Sequence, residues 1–528
     1  MGNPSSMPFR LNGRKIDLQR GSLTDTAGQM VTLRPQAAEV LRVLAEKPGQ
    51  LVSKEELMRA VWPDVAVTDD SLVQCITEIR KALGDENHAF IQTVPRRGYL
   101  LEMSDQRAVV RPAIAVLPFR NLSGEEQWSR FADGMTEDII TDLARFRDIP
   151  VIARTSSELF RDKAEDVREI GKALNVKYVL EGSLQVAGHS LRVNAQLINT
   201  ENGAHIWSER YDCLKTQLFD VRDEISGKIA ATLTGWEGQL NEAERVLARR
   251  KSGVGLDAYD YWLLGVEARN RMSPASQAEA RELFAKGLAL APDFAPLIRD
   301  MGITYSIDIQ TGAAADRNAA LEQQGSYMAR ALALDPNDAL ASFFMGSYLT
   351  LKGDGEGGGR YYRRALELGP NNSDVLALLA WTSSYSATPE RGAELADHAL
   401  RLNPHHPFWW NSALARAYFA VGDFEKAYSF SKRAASTAPN EAAIHAMVAA
   451  RLGRREEAAR AAGSVLQMQP DWTAEGMYSF RLAPQAAQLF AESAALAGLP
   501  VCMTAEQLMK STDSTRFAAC EAERASKA

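Results

Sequence analysis

The chain is short of cysteine, of long apolar runs and of any surplus of positive charge. Its four cysteines (Cys75, Cys213, Cys502, Cys520) stand far apart in 528 residues, with no paired spacing. A disulfide framework or a structural zinc site is therefore not expected, and a reducing compartment is the natural home. No apolar run approaches the roughly 18 residues that span a bilayer. Met1 to Lys15 lacks the charged start and apolar core of a signal peptide. A cytoplasmic chain without a membrane segment is expected. Lys+Arg 60 against Asp+Glu 67 gives a net charge of -7, which excludes a protein basic throughout and, averaged over the chain, argues against nucleic acid. Neither a Gly-x-Ser-x-Gly elbow nor a His-Glu-x-x-His pair occurs, so no catalytic residue is assigned.

What is present is folding material. A hydrophobic content of 46% with 24% charged residues belongs to a globular chain. Its length suggests about three domains. Three textures follow one another. Residues 1–106 mix short strand-like stretches with three compact helical patterns. Residues 112–235 alternate strands and helices. Residues 257–475 are rich in Ala and Leu, and residues 476–528 read as a helical C-terminal cap and tail. Arg107 to Arg111 reads as a connector and Gln239 to Lys251 as a charged helical linker.

The third texture repeats. LALAP, LALDP, LELGP, LRLNP, STAPN and QMQPD put prolines at 292, 336, 370, 404, 439 and 470, mostly near 34 residues apart. That is the spacing of tetratricopeptide repeats, each a pair of helices that stacks on its neighbours to bury its apolar face. The wider first interval places an insertion near Gln310 to Asn318. Gly353 to Gly359 (GDGEGGG) lacks the Lys-Ser/Thr of a phosphate-binding loop and reads as a turn between two helices. His405-His406 has no nearby metal-ligand partner in sequence, and Trp409 and Trp410 read as packing between repeats. No metal and no cofactor is expected.

In the first texture, Pro35 opens a helix with Ala37, Val40, Leu41 and Leu44 on one face. Ser53 to Glu56 is a capping box for a second helix, with Leu57, Met58, Val61 and Trp62 inward. A third helix runs from about Asp70 to Leu83, burying Leu72, Ile76, Ile79 and Leu83. Ser71, Gln74, Glu78 and Lys81 lie on its other face. Ile91 to Val94 and Tyr99 to Leu101 then bracket the basic tip Pro95-Arg96-Arg97-Gly98.

The words LVSKEELMRAVWPDV, SLVQCITEIRKALGD and IQTVPRRGYL, in this order, resemble the OmpR/PhoB-type winged-helix domain. The resemblance implies a third helix in the DNA major groove and a hairpin wing toward the adjoining minor groove. Carried over position by position, Gln74 suits adenine and Glu78 the cytosine amino group. Ser71 and Thr77 suit phosphate or base contacts, and Arg80, Lys81, Arg96 and Arg97 suit phosphates. Family helices often carry Arg or His where this one has Asp70, Cys75 and Glu78. Through Gln106 there are 13 Lys+Arg against 14 Asp+Glu, so binding must rest on clustered cations rather than a basic domain. The loop Trp62 to Thr68 matches the one that can touch RNA polymerase in this family, with Asp64 and Val65 its candidate contacts. No phosphorylated receiver domain is expected.

In the second texture, Ile114 to Phe119 is a buried strand, Phe131 to Leu143 a helix, Val151 to Ala153 a strand and Val167 to Leu174 a helix. Strands follow at Tyr178 to Leu180, at Leu191 to Ile198 and, after an Asn202-Gly203 turn, at His205 to Tyr211. AVLPFRNLSG, FADGMTEDII, YVLEGSLQVAGHSLRVNAQLI and HIWSERYD resemble the TolB-like α/β domain, which often precedes tetratricopeptide repeats behind winged-helix or adenylate-cyclase modules. The expected fold is an α+β winged helix, an α/β TolB-like domain and an all-α solenoid. The expected function is a DNA-binding transcriptional regulator of the one-component type, for which a dimer on DNA would suit two half-sites, with a signal or protein partner on the later domains. The alternative is a non-catalytic scaffold whose winged helix does not bind DNA.

Overall fold

The structure, a computed structural model, describes residues 9–11, 14–17, 22–24, 30–47, 50–63, 67–85, 90–94, 97–101, 109, 111–161, 163, 165–214, 218–251, 255–435, 438–477, 482–510 and 516–527. The chain divides into two compact units, Met1–Ala108 and Val109–Ala528.

The first unit opens with an antiparallel sheet of β1 (Phe9–Leu11), β2 (Arg14–Asp17), β3 (Ser22–Thr24) and β4 (Met30–Thr32), paired in chain order. Helix α1 (Pro35–Glu46) starts on its proline, and β5 (Leu51–Ser53) leads into α2 (Lys54–Val61). The Ser53 hydroxyl accepts from the Glu56 backbone N–H at 3.1 Å, half of the capping box; the Glu56 carboxylate instead pairs with Lys47. Helix α3 (Asp69–Leu83) ends on Gly84 in the left-handed region. The hairpin β6 (Ile91–Val94) and β7 (Gly98–Leu101) completes a second sheet in the order β5-β7-β6. Gly98 has φ 154°, and a Cβ there would lie 2.0 Å from the Val52 carbonyl oxygen, so only glycine lets β7 pair with β5. The core joins Val40, Leu41 and Leu44 to Leu57, Leu72, Ile76, Ile79, Ile91 and Leu101.

The second unit begins with a mixed sheet. It comprises β8 (Ile114–Val116), β9 (Arg120–Asn121), β10 (Tyr178–Ala187), β11 (Ser190–Asn199) and β12 (His205–Leu214). Its order is β12-β11-β10-β8 with β9 beside β10, antiparallel across β10, β11 and β12 and parallel from β10 to β8. Leu191, Val193, Ala195 and Leu197 are all buried, as their alternation requires. Helices α4 (Glu126–Arg145) and α7 (Leu218–Leu233) share one apolar cluster with the sheet. A short α5 (Arg154–Ser157) and α6 (Val167–Leu174) lie between β9 and β10 in sequence, and α6 packs with Ala115, Leu117 and Val179. The strand expected at Val151 to Ala153 is a single bridge from Val151 to Ile114, too short for a ladder.

The stretch expected as a linker is α8 (Gln239–Arg250), and it is packed rather than free. Leu240, Glu244, Arg245 and Ala248 are buried. The Glu244 carboxylate accepts from Tyr178 Oη at 2.7 Å and pairs with Lys177. Its charges thus serve buried partners, which a charged composition alone does not reveal.

Six helix pairs follow among the described residues: α9 (Ala258–Asn270) with α10 (Pro274–Leu290), α11 (Ala295–Thr311) with α12 (Arg317–Leu334), and α13 (Ala339–Leu351) with α14 (Gly355–Leu368). Then come α15 (Ser373–Ser383) with α16 (Pro389–Leu402), α17 (Trp410–Ala420) with α18 (Phe424–Ala434), and α19 (Pro439–Arg451) with α20 (Arg455–Met468). The wide interval is absorbed by longer helices, 17 and 18 residues in α11 and α12 against 13 and 14 in the next pair. Gly355 to Gly359 form the first turns of α14, capped by Asp354, rather than a loop; only Gly353 is left to turn. Helices α21 (Pro484–Leu496), α22 (Ala505–Lys510) and α23 (Ala518–Lys527) close the chain.

The first helices of these pairs are buried along most of their length, as with Ala339 to Gly346, Ser373 to Ala380 and Ala442 to Ala450. An open solenoid leaves one side of such helices to solvent. Here the unit covers them with its own segments. Trp236, after α7, packs against Trp409 with 5.1 Å between ring centroids and the rings tilted by 47°, beneath the Arg269 guanidinium. Asp374 accepts from the Trp236 backbone N–H at 2.9 Å and from Trp410 Nε1 at 3.0 Å. Arg299, 1% exposed, donates to Asp148, Asp300 and Asp338 at 2.8 to 3.2 Å. Asp300 also holds Arg269 and Trp262.

One expectation fails outright at the C-terminus. Cys502 and Cys520 form a disulfide across 18 residues of sequence, because the tail folds back. Buried Glu475 accepts there from the backbone N–H groups of Met503 and Phe517 and from Arg524. The other two cysteines are free. Among the described residues no helix is long and apolar enough to cross a membrane.

Candidate nucleic-acid interface

Helix α3 is amphipathic because Leu72, Ile76, Ile79 and Leu83 recur at helical spacing and face the core. Its first turn carries Asp69 and Asp70 and its last Arg80 and Lys81, which suits the helix dipole at both ends. Asp69 is the first helical residue, after Thr68 at the cap position, and its carboxylate takes Lys54 at 2.5 Å. The outer face presents Val73, Gln74, Thr77 and Lys81 to solvent, with Ser71 half-buried at one edge.

Each expected contact residue has a definite surrounding. The Thr77 hydroxyl donates to the Val73 carbonyl at 2.8 Å, which leaves its oxygen as an acceptor. The Glu78 carboxylate accepts from the Arg34 backbone N–H at 2.8 Å and pairs with the Arg34 guanidinium. Arg34 thus neutralises the one carboxylate in the middle of the outer face of α3. The bond to Glu78 also raises the Arg34 pKa above its ordinary value.

Arg80 turns away from that face. It donates from Nε to the Ile91 carbonyl at 3.1 Å and from Nη2 to Thr93 Oγ1 at 2.9 Å, tying the end of α3 to the wing strand β6. Asp85, buried, accepts from the backbone N–H groups of Phe90 and Ile91 and secures the same junction. Arg80 therefore fixes the angle between helix and wing. Lys81 is exposed beside it, and its terminal charge makes no ion pair among the described residues.

Arg97 sits exposed at the hairpin turn, while its backbone is held by Val94 and Lys54. Arg96, Asp64 and Val65 lie outside the described residues. Arg34, Thr93 and Asp85 were not expected from sequence. Only Arg34 carries a local signal, as a cation just before the proline of α1, and nothing local links it to a residue 44 positions away.

The comparisons with known proteins follow this division. Residues 28–101 match the family described as transcriptional regulatory protein, C terminal, and residues 110–228 match the second domain of HilA/YgeH-like transcriptional regulators. Over 198 residues the chain is 37% identical to putative adenylate cyclase 3 of Rhizobium meliloti, covering 38% of this chain and 33% of that protein. Over 385 residues it is 23% identical to the transcriptional regulator HilA of Salmonella typhimurium, covering 71% of this chain and 67% of that one. Over 77 residues it is 38% identical to the transcriptional activator CadC of Escherichia coli, covering 14% and 15% of the two chains. The chain thus spans a third of the length of the cyclase-named relative and two thirds of HilA. Residues 28–101 are an OmpR/PhoB-type winged-helix domain and residues 110–228 a HilA-like second domain, the domain composition of DNA-binding transcriptional regulators.

Proposed function

We propose that this protein regulates transcription by binding double-stranded DNA through its N-terminal unit, as a cytoplasmic one-component regulator without catalytic activity. The observation that carries the reading is the outer face of α3, where Gln74, Thr77 and Lys81 are exposed and Arg34 cancels the charge of Glu78. A helix presenting polar groups to the major groove needs that cancellation, since a free carboxylate repels phosphate. Gln74 and Thr77 are the base readers, Ser71 an edge contact, Lys81 and the wing's Arg96 and Arg97 the phosphate contacts. Arg80 acts by positioning the wing. Residues 1–106, 112–235, 257–475 and 476–528 are the working division of the chain.

Asp64 and Val65 are the proposed contacts to RNA polymerase, and two copies on paired half-sites are the proposed DNA-bound form. The solenoid is the proposed seat of a protein partner. Because its inner helices are covered by the unit's own segments, that partner engages the outer helices or displaces the cover. The test is a gel shift of the full chain on its own upstream DNA across a salt series. Binding should weaken steeply with salt, and Arg96→Ala with Arg97→Ala should flatten that slope by about 2. Salt-independent binding, or a double variant that behaves as the parent, rejects the wing mechanism.

A further inference from the structure

A cavity of about 500 Å³ lies within the second unit, where the α/β module meets the fourth helix pair. That volume is in the range of small-molecule sites. Its two walls come from different modules. Helices α4 and α7 supply Asp138, Asp142, Asp223 and Glu224 with one cation, Arg145, and across from them stand Asn371, His398 and Arg401. The walls are held together beside the cavity at Gly227, where a Cβ would come 2.8 Å from Leu402. The Asn371 amide donates to Asp142 at 3.0 Å, across 229 residues of sequence.

The charges on the two walls are not equally satisfied. Asp138 has Arg222 at 2.6 Å and Glu224 has Lys228 at 2.6 Å. Asp142, whose side chain is 9% exposed, has Arg145 only at 3.3 Å, and Asp223 reaches Arg222 only at 3.9 Å. Burial, and then the charges of Asp138 and Asp223 against the pull of Asn371 and Arg145, raise the Asp142 pKa; an added cation would relieve that crowding. On the other wall, Arg401 makes no ion pair among the described residues. Burial and then Arg401 and Arg391 keep His398 below its ordinary pKa, so the imidazole adds a polar group rather than a second cation.

We propose that this cavity binds a small zwitterion, an amino acid in the first instance, with its ammonium group received by Asp142 and Asp223 and its carboxylate by Arg401. Such a molecule carries its two charges in the order the walls demand. An amine alone leaves Arg401 unmatched, and a carboxylic acid alone meets the acidic wall. The ligand touches both modules, so occupancy reports on, and stabilises, their docked arrangement. The site stands apart from the DNA reading, because binding is measured without DNA.

The experiment is calorimetric titration and thermal shift of the full chain with each of the twenty protein amino acids at millimolar concentration. At least one should bind with one-to-one stoichiometry and raise the unfolding temperature. Its decarboxylated amine and its N-acetyl derivative should each bind at least about tenfold more weakly. Arg401→Ala, an exposed substitution that leaves the fold intact, should cost a similar factor, as should Asp142→Asn. Failure of all twenty to bind overturns the proposal. So does an amine that binds as tightly as its amino acid, or binding that Arg401→Ala leaves untouched.

Discussion

The two units use the same ion-pair chemistry at opposite depths. In the winged helix, Arg34 meets Glu78 with side chains 60% and 25% exposed. In the second unit, Arg269 meets Asp300 with both side chains at 0%. An exposed pair is screened and exchanges readily with other charges, so it sets the local sign of a surface more than it holds the fold. A buried pair is costly to assemble and more costly to break, because removing one partner strands the other away from water. The outer face of α3 thus carries a pair that can be re-partnered, while the second unit, beside exposed pairs of its own such as Arg360 with Glu356, contains buried pairs that cannot.

The largest effect should come from stranding a buried charge. Asp300→Ala leaves Arg269 and Arg299 short of a carboxylate and should destabilise the second unit by about 3–5 kcal/mol, read by thermal unfolding. DNA binding by the first unit should survive wherever the chain remains folded; an unchanged midpoint would place these arginines with the exchangeable class. Replacing Cys502 and Cys520 by serine opens an 18-residue loop. That should weaken tail docking by about 3 kcal/mol on the chain-entropy account. Faster proteolysis near α23 would show it.

Acid sharpens the contrast at the same place. Burial opposes the charge of Glu475, yet Arg524 and the backbone N–H groups of Met503 and Phe517 outweigh it and hold its pKa below the ordinary carboxylate value. Its contribution is full above the unfolded-state pKa and is lost as pH falls through the lower folded value. Tail protection from protease should therefore decline on acidification, and Glu475→Gln should remove that dependence. In the first unit the effects are smaller and fall on binding. Lys81→Ala should reduce the salt slope of DNA binding by about 1 with no change in unfolding temperature. Arg34→Ala should also leave unfolding unchanged while weakening DNA binding, since Glu78 then faces the phosphates alone. If Arg34→Ala instead unfolds the domain, the division between the two kinds of pair collapses.

Much of the architecture was legible because periodicity is a local property. Helix α6 falls on the residues its pattern marks, and the recurring prolines announce the helix pairs. On α3, the burial of Leu72, Ile76 and Ile79 and the exposure of Gln74 and Lys81 follow from the same spacing. What escaped were meetings between distant residues. Arg80 bonding to β6, Arg34 to Glu78, Arg299 to Asp148 and Cys502 to Cys520 join positions whose proximity depends on how elements pack. The charged helix α8 was misjudged for that reason: composition suggested solvent, and packing supplied Tyr178 and Lys177 instead.

The covered inner helices bear on how the chain is made. Repeat arrays ordinarily fold from their nearest neighbours outward. Trp236 leaves the ribosome 138 residues ahead of Asp374, which anchors its backbone. At bacterial and eukaryotic synthesis rates that is a wait of roughly 7 to 30 s with an indole and its apolar surroundings exposed. The α/β core is built from residues 114–243 alone, so what closes late is this one contact: Trp236 waits for the fourth helix pair. Removing the fourth pair, which carries Asp374, would remove the partner for which Trp236 is waiting.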